Sequence, residues 1–103
     1  HLTTDKNGVL ECNKAIITET SEYAAAYKIN FAFYEEAGAE GMDMLARTLE
    51  LIPDDILVIG DAKRGDIGNT SKMYARSLFD HFNLDASTLS PYMGKDSLSP
   101  FLE

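Results

Sequence analysis

The sequence predicts an α/β protein assembled from parallel βαβ units. Two observations carry that expectation. Apolar runs of strand length alternate with segments whose apolar residues recur at helical spacing, and breaks rich in Gly, Pro, Asn and Asp separate them. The resulting order is helix, strand, helix, strand, helix, strand, helix, the alternation that parallel sheets require.

Residues 1–8 are polar, and Asn7-Gly8 signals a turn. From Leu10 to Tyr23, apolar residues at Leu10, Ile16, Ile17 and Tyr23 form a moderate helical stripe. Ala24 to Phe33 is apolar and aromatic, as a short buried strand would be, and its interruptions Lys28 and Asn30 fall on one side, two positions apart. Gly38 breaks the pattern, after which Met42, Leu45, Leu49 and Ile52 repeat at helical spacing until Pro53. Asp54-Asp55 turns the chain into a strand over Ile56 to Gly60. Asn69 or Thr70 is suited to cap the next helix, striped by Tyr74, Leu78 and Phe82 and ended by Asn83 to Asp85. A strand is expected over Ala86 to Met93, with Pro91 near its end, and a further helix starts in the segment from Gly94 to Glu103.

The balance of charge restricts the partners. Nine basic residues against seventeen acidic give a net charge of −8. Nucleic acid is bound by neutralising phosphates with Lys and Arg, so that class of partner is not expected. A small anionic ligand remains compatible, because local fields at a site differ from the net charge. The single cysteine, Cys12, has no internal disulfide partner. No apolar run approaches the roughly 20 residues of a membrane span, and no signal-peptide pattern is visible, so a cytoplasmic location is expected and no membrane partner.

Chemistry concentrates in Val58-Ile59-Gly60-Asp61-Ala62-Lys63-Arg64-Gly65-Asp66-Ile67-Gly68-Asn69-Thr70. Residues at i and i+2 of a strand point to one side, so Asp61 and Lys63 share a face where the strand gives way to a loop. Asp66 follows across Gly65, where the backbone can turn sharply. Such a carboxylate–ammonium–carboxylate array belongs either to an active site or to a structural ion-pair network. Arg64 reads as a solvated or interface residue, and Tyr27, Phe31, Phe33 and Tyr34 as core and strand-face aromatics. Other signatures fail. Gly60-x-x-x-x-Gly65 begins like a phosphate-binding loop, but Asp66-Ile67 stands where Lys and Ser or Thr are required. Arg64-Gly65-Asp66 spells an adhesion tripeptide with no secretory context. His1, His81 and Cys12 lack metal-ligand spacing, so no metal site is expected.

The motif Asp61-x-Lys63-x-x-Asp66-Ile67-x-x-Thr70 resembles the catalytic signature of the orotidine 5′-phosphate decarboxylase family, in the wording of its longer, second subgroup. Ala26-Tyr27-Lys28-Ile29-Asn30-Phe31-Ala32-Phe33-Tyr34 upstream and Ser90-Pro91-Tyr92-Met93-Gly94-Lys95-Asp96-Ser97-Leu98 downstream agree with it. The resemblance implies a (β/α)8 TIM barrel, of which residues 1–103 would be one partial domain, from the first helix to the start of the fourth. Barrels of this kind take about 250 residues. His1 at the start and Pro100-Phe101-Leu102-Glu103 at the end, which reads as an unfinished helix, suit an internal piece of a longer enzyme. The first strand, with a ribose-binding aspartate, and the phosphate-binding loops would lie outside it.

The implied reaction is decarboxylation of orotidine 5′-monophosphate to uridine 5′-monophosphate, a step of pyrimidine biosynthesis, with no metal or organic cofactor. Lys63 would stabilise and protonate the carbanion at C6. Asp61 and Asp66 would keep that ammonium charged: an opposite charge at 4 Å is worth about 4 kcal/mol at an effective dielectric of 20. The resemblance also implies a homodimer, in which Lys28, Asp61 and Lys63 serve one site and Asp66, Ile67 and Thr70 complete the partner's. Lys28 would hydrogen-bond ribose and hold Asp61, and Ser90 would contact the pyrimidine edge. Asn30 would either orient Lys28 or cap a loop. The competing readings are a magnesium-dependent sugar-phosphate enzyme on the same barrel, a non-catalytic nucleotide-binding module, and a scaffold that binds no nucleotide.

Overall fold

A computed structural model of the protein describes residues 6–103; His1, weighed above as a metal ligand, lies outside the described residues. Helix α1 spans Lys6–Thr20, strand β1 Ala26–Asn30, helix α2 Ala32–Glu35 and helix α3 Gly38–Glu50. Strand β2 covers Leu57–Arg64 and helix α4 Gly68–Arg76, continued by a π-helical turn at Ser77–His81. Strand β3 is Ala86–Leu89, and helix α5, Lys95–Leu98, runs into a 3₁₀ turn at Ser99–Phe101. The strands form one parallel sheet in the order β1-β2-β3.

Register assigns each strand residue to a face. Lys28 lies level with Ile59 and Asn30 with Asp61, so these four share one side of the sheet. Ile29, Val58 and Gly60 face the other way, toward the helices. There a core of Ile17, Ile29, Phe31, Leu45, Ile52, Ile56, Val58, Leu78 and Leu84 is buried. Leu45, Leu78 and Phe31 are at most 2% exposed, and each stabilises the fold by about 1.5–3 kcal/mol relative to an exposed position. Phe31 meets Phe82 edge to face, with centroids 5.7 Å apart. Gly60 fits this core only without a side chain, since a Cβ there would stand 2.5 Å from Leu84 Cδ1 and 3.3 Å from Phe31 Cε1.

The observed elements depart from the expected ones where side chains capture backbone groups. Asn7-Gly8 is not a turn but part of α1. The first strand stops at Asn30 rather than Phe33. Asn30 Oδ1 accepts the Ala32 N–H at 3.1 Å, and the Phe31 carbonyl accepts from Tyr34 and Glu35 at 3.0 and 2.9 Å, which winds the chain into α2. This leaves Phe33 74% exposed, neither core nor strand face. Neither Asn69 nor Thr70 caps α4, whose N-cap is Ile67. Ser71 does the anchoring instead: its Oγ donates to the Asp66 carbonyl at 2.8 Å and accepts the Asp66 N–H at 3.2 Å. Strand β2 runs four residues beyond Gly60, whereas β3 ends at Leu89, before Ser90-Pro91.

Candidate active site

Parallel strands deliver their C-terminal residues to one edge, and four of those residues converge here. Asp61 is the hub, its side chain only 8% exposed. Lys63 Nζ donates a hydrogen bond to Asp61 Oδ1, Thr88 Oγ1 donates to the same oxygen at 2.9 Å, and Lys28 Nζ stands 3.5 Å from Oδ2. These partners hold the Asp61 carboxyl at about 2, below its ordinary value of 3.8. The hydrogen bond from Lys63 is the largest cause and that from Thr88 the next, with the charges of Lys63 and Lys28 adding to them against the opposing effect of burial. Asp61 is therefore ionised throughout the physiological range. The two ammonium groups are the open part of the cluster, with the Lys63 and Lys28 side chains 68% and 61% exposed.

The backbone around Lys63 is unusual. Lys63 has φ +50°, in the left-handed region that side-chain-bearing residues seldom enter. The pairing of β2 with β3 slips at the same place: Gly60 is level with Ser87 and Arg64 with Leu89, so four steps along β2 match two along β3. Lys63 N–H consequently donates to the Thr88 side chain, Oγ1 at 3.1 Å, rather than to a strand carbonyl. The ladder resumes beyond the slip, where Ser90 N–H donates to the Arg64 carbonyl at 2.7 Å.

The expected carboxylate–ammonium–carboxylate array is not what one chain builds. Among the described residues, the array is ammonium–carboxylate–ammonium: Lys28, Asp61, Lys63. Asp66 makes no ion pair with Lys63. Past Gly65 the chain turns into α4, and Asp66 Oδ1 accepts the N–H of Ile67 at 2.7 Å. Ile67, 57% exposed, and Thr70, half-buried, sit on that same turn and first helical turn. Asn30 lies on the cluster's face of the sheet, and its Oδ1 accepts the Ala32 N–H at the start of α2. Ser90 packs against Gly65, tied there through its backbone.

Two residues of this region were not anticipated from the sequence. Thr88 joins Asp61 to Lys63, a place it owes to the slip between β2 and β3. Arg64 was expected to be solvated or at an interface. Instead its guanidinium pairs with Glu35 at the end of α2 and lies 5.2 Å from the centroid of the Tyr74 ring on α4. It thus ties the end of β2 to two helices. Among the described residues no three His, Cys, Asp or Glu side chains gather as metal ligands, and no helix is long and apolar enough to cross a membrane.

The chain has close counterparts. Residues 7–103 match the model of the family described as Orotidine 5'-phosphate decarboxylase / HUMPS family. A curated orotidine 5′-phosphate decarboxylase of Porphyromonas gingivalis is 54% identical over 105 residues, which cover 99% of this chain and 38% of that protein. Another, from Dehalococcoides mccartyi, is 55% identical over 94 residues, covering 91% of this chain and 35% of that protein. The chain thus spans under two-fifths of the length of these relatives. Among solved structures, an OMP decarboxylase of Leishmania donovani superposes with a TM-score of 0.93 at 49% identity, over 97% of this chain and 40% of that one. A Toxoplasma gondii structure, titled as an orotidine-monophosphate-decarboxylase, gives 0.94 at 42% identity, over 98% and 35%. The three parallel strands and their helices are therefore a portion of a TIM barrel. Because the family match runs along nearly the whole chain and takes in every residue of the Lys28–Asp61–Lys63–Thr88 cluster, this chain belongs to the orotidine 5′-phosphate decarboxylase / HUMPS family.

Proposed function

We propose that this chain contributes the proton-donating half of an orotidine 5′-monophosphate decarboxylase site. The observation that carries the reading is the Lys28–Asp61–Lys63 chain at the C-terminal edge of the parallel sheet. Loss of carbon dioxide breaks the bond between C6 of the pyrimidine and its carboxyl carbon, leaving the electron pair at C6. The Lys63 ammonium, fixed by Asp61, stabilises that charge as it develops and delivers a proton from Nζ to C6, yielding uridine 5′-monophosphate. The neutral amine then regains a proton from solvent. This is the decarboxylating step of pyrimidine biosynthesis, and we place it in the cytoplasm.

Asp61 orients the ammonium, while Lys28 reaches from β1 to the ribose and braces the other carboxylate oxygen. Ser90 serves the pyrimidine edge, and Asn30 lies beside Lys28 on the substrate-facing side of the sheet. Asp66, Ile67 and Thr70 complete the site of a second copy in a homodimer. The turning of Asp66 away from its own Lys63 supports that assignment, because the carboxylate is left at the surface-facing turn before α4.

The test is loss of orotidine 5′-monophosphate absorbance by the full-length protein, with EDTA present, for wild type and Lys63→Ala. Metal-independent turnover in the wild type and none in the variant is expected. Turnover that EDTA abolishes would move the reading to a magnesium-dependent relative. A folded dimer without turnover, still binding nucleotide after Lys63→Ala, would make it a binding module.

A further inference from the structure

We propose that Thr88 is a positioning residue for the decarboxylation, one hydroxyl that fixes both the Asp61 carboxylate and the Lys63 backbone. The inference rests on the reading of Lys63 as the proton donor and extends it to a residue outside the signature motif.

The hydrogen-bond inventory of the hydroxyl fixes its direction. Lys63 N–H, a donor only, points at Thr88 Oγ1 from 3.1 Å, so it occupies an oxygen lone pair. An ionised Asp61 accepts only, so the single hydroxyl proton must go to Oδ1, 2.9 Å away. Both functions of the hydroxyl are therefore committed, one to each member of the pair. Asp61 Oδ1 in turn receives the Lys63 ammonium, which closes a ring from the Lys63 backbone through Thr88 and Asp61 back to the Lys63 side chain.

Three features make this ring necessary rather than incidental. The slip between Gly60 and Arg64 takes Lys63 N–H out of the ladder, so a side chain on β3 must supply its acceptor. Lys63 sits at φ +50°, a conformation that persists only when its surroundings impose it, and the Thr88 contact is on the residue itself. Thr88 is β-branched, with a stiff χ1, so its hydroxyl keeps one heading from a half-buried strand position. The Lys63 side chain, by contrast, is two-thirds exposed, and among the described residues its ammonium is held by Asp61. Loss of the hydroxyl would release the lysine at both ends, its backbone and its anchor.

The test compares Thr88→Val and Thr88→Ser in the full-length protein under steady-state decarboxylation. Val preserves the shape and removes both hydrogen bonds. We expect kcat to fall about 10- to 100-fold, the scale set by a misplacement of about 1 Å at a reacting group, with KM changed less than about threefold. Ser restores the hydroxyl and should return kcat to within about threefold of wild type. An unchanged kcat in Thr88→Val overturns the proposal. So does a rise in KM alone, which would make Thr88 a substrate contact, and so does equal loss in Val and Ser, which would show that the hydroxyl alone does not hold the pair in place. If Thr88→Val fails to fold, Thr88→Ala loses the same hydroxyl without placing a methyl against the carboxylate and is read by the same split. Lys63→Ala, run alongside, separates the two levels of the argument: full turnover there overturns the reading of Lys63 as the proton donor, whatever Thr88 does.

Discussion

Two glycines three residues apart in the site loop should respond to alanine with opposite signs. At Gly65 a Cβ would stand 2.8 Å from the Ser90 carbonyl oxygen and 3.0 Å from Ser90 Cβ. Ordinary contact begins near 3.4 Å, so the Ser90 backbone would have to retreat by about half an ångström. Ser90 cannot retreat freely, because its N–H is bonded to the Arg64 carbonyl at 2.7 Å. Overpacking of this kind costs about 1–3 kcal/mol, and weakening the attached hydrogen bond adds up to about 1 kcal/mol. Gly65 is not among the positive-φ residues, so the penalty is contact alone and not backbone strain. Gly68 opens α4 and has nothing within 4 Å of an added Cβ. Alanine there narrows the unfolded ensemble and should stabilise by about 0.4–1 kcal/mol. Thermal unfolding of the full-length protein reads both, at roughly 2–4 °C per kcal/mol for chains of about 150–250 residues. Gly65→Ala should lower Tm and Gly68→Ala raise it. Equal shifts, or a Gly65→Ala loss under 0.5 kcal/mol, would refute the claim that close approach of β2 and β3 fixes glycine at 65.

Further outcomes follow from the charged groups. Removing the Arg64 guanidinium breaks a partly exposed ion pair and a contact with the Tyr74 ring, so Arg64→Ala should cost about 1–2 kcal/mol. A double-mutant cycle with Glu35→Ala should recover under about 1 kcal/mol of coupling, and zero coupling would deny the pair any role. Asp61 titrates at about 2 in the folded protein, below its ordinary 3.8. Its contribution to stability is therefore whole above about pH 5, shrinks as pH falls through the folded value, and is gone below it. The Tm difference between wild type and Asp61→Asn should accordingly be constant near neutrality and narrow toward pH 2. A gap that widens on acidification would show that Asp61 is not held ionised by its lysine and threonine partners.

The strand order and the main motif were legible because they rest on short-range signals. Alternation of apolar runs marked three strands, and the i, i+2 relation put Asp61 and Lys63 on one side, as found. Lys28 joined them through register, which the sequence alone does not contain, since Asn30 could have paired one step earlier or later. What escaped were competitions settled by single polar side chains. Asn30 bends the chain into α2 and Ser71 starts α4, each by capturing a backbone group two to five residues away. Such captures depend on the local path of the chain and leave no period to read. Thr88 escaped for a related reason: its importance arises from the slip in β2, and nothing in Val58 to Arg64 marks where a ladder will lose step.

Given the role proposed for Lys63, its left-handed backbone sets stability and turnover against each other at one position. A residue with a Cβ is disfavoured there by roughly 1–2 kcal/mol, whereas glycine would rest without strain and asparagine with little. Variants selected only for heat resistance should therefore drift toward Gly or Asn at 63 and lose the ammonium. Variants selected for growth without external pyrimidines should retain lysine and the strain together. On the proposed role, the least comfortable residue of the strand is also the one the chemistry requires.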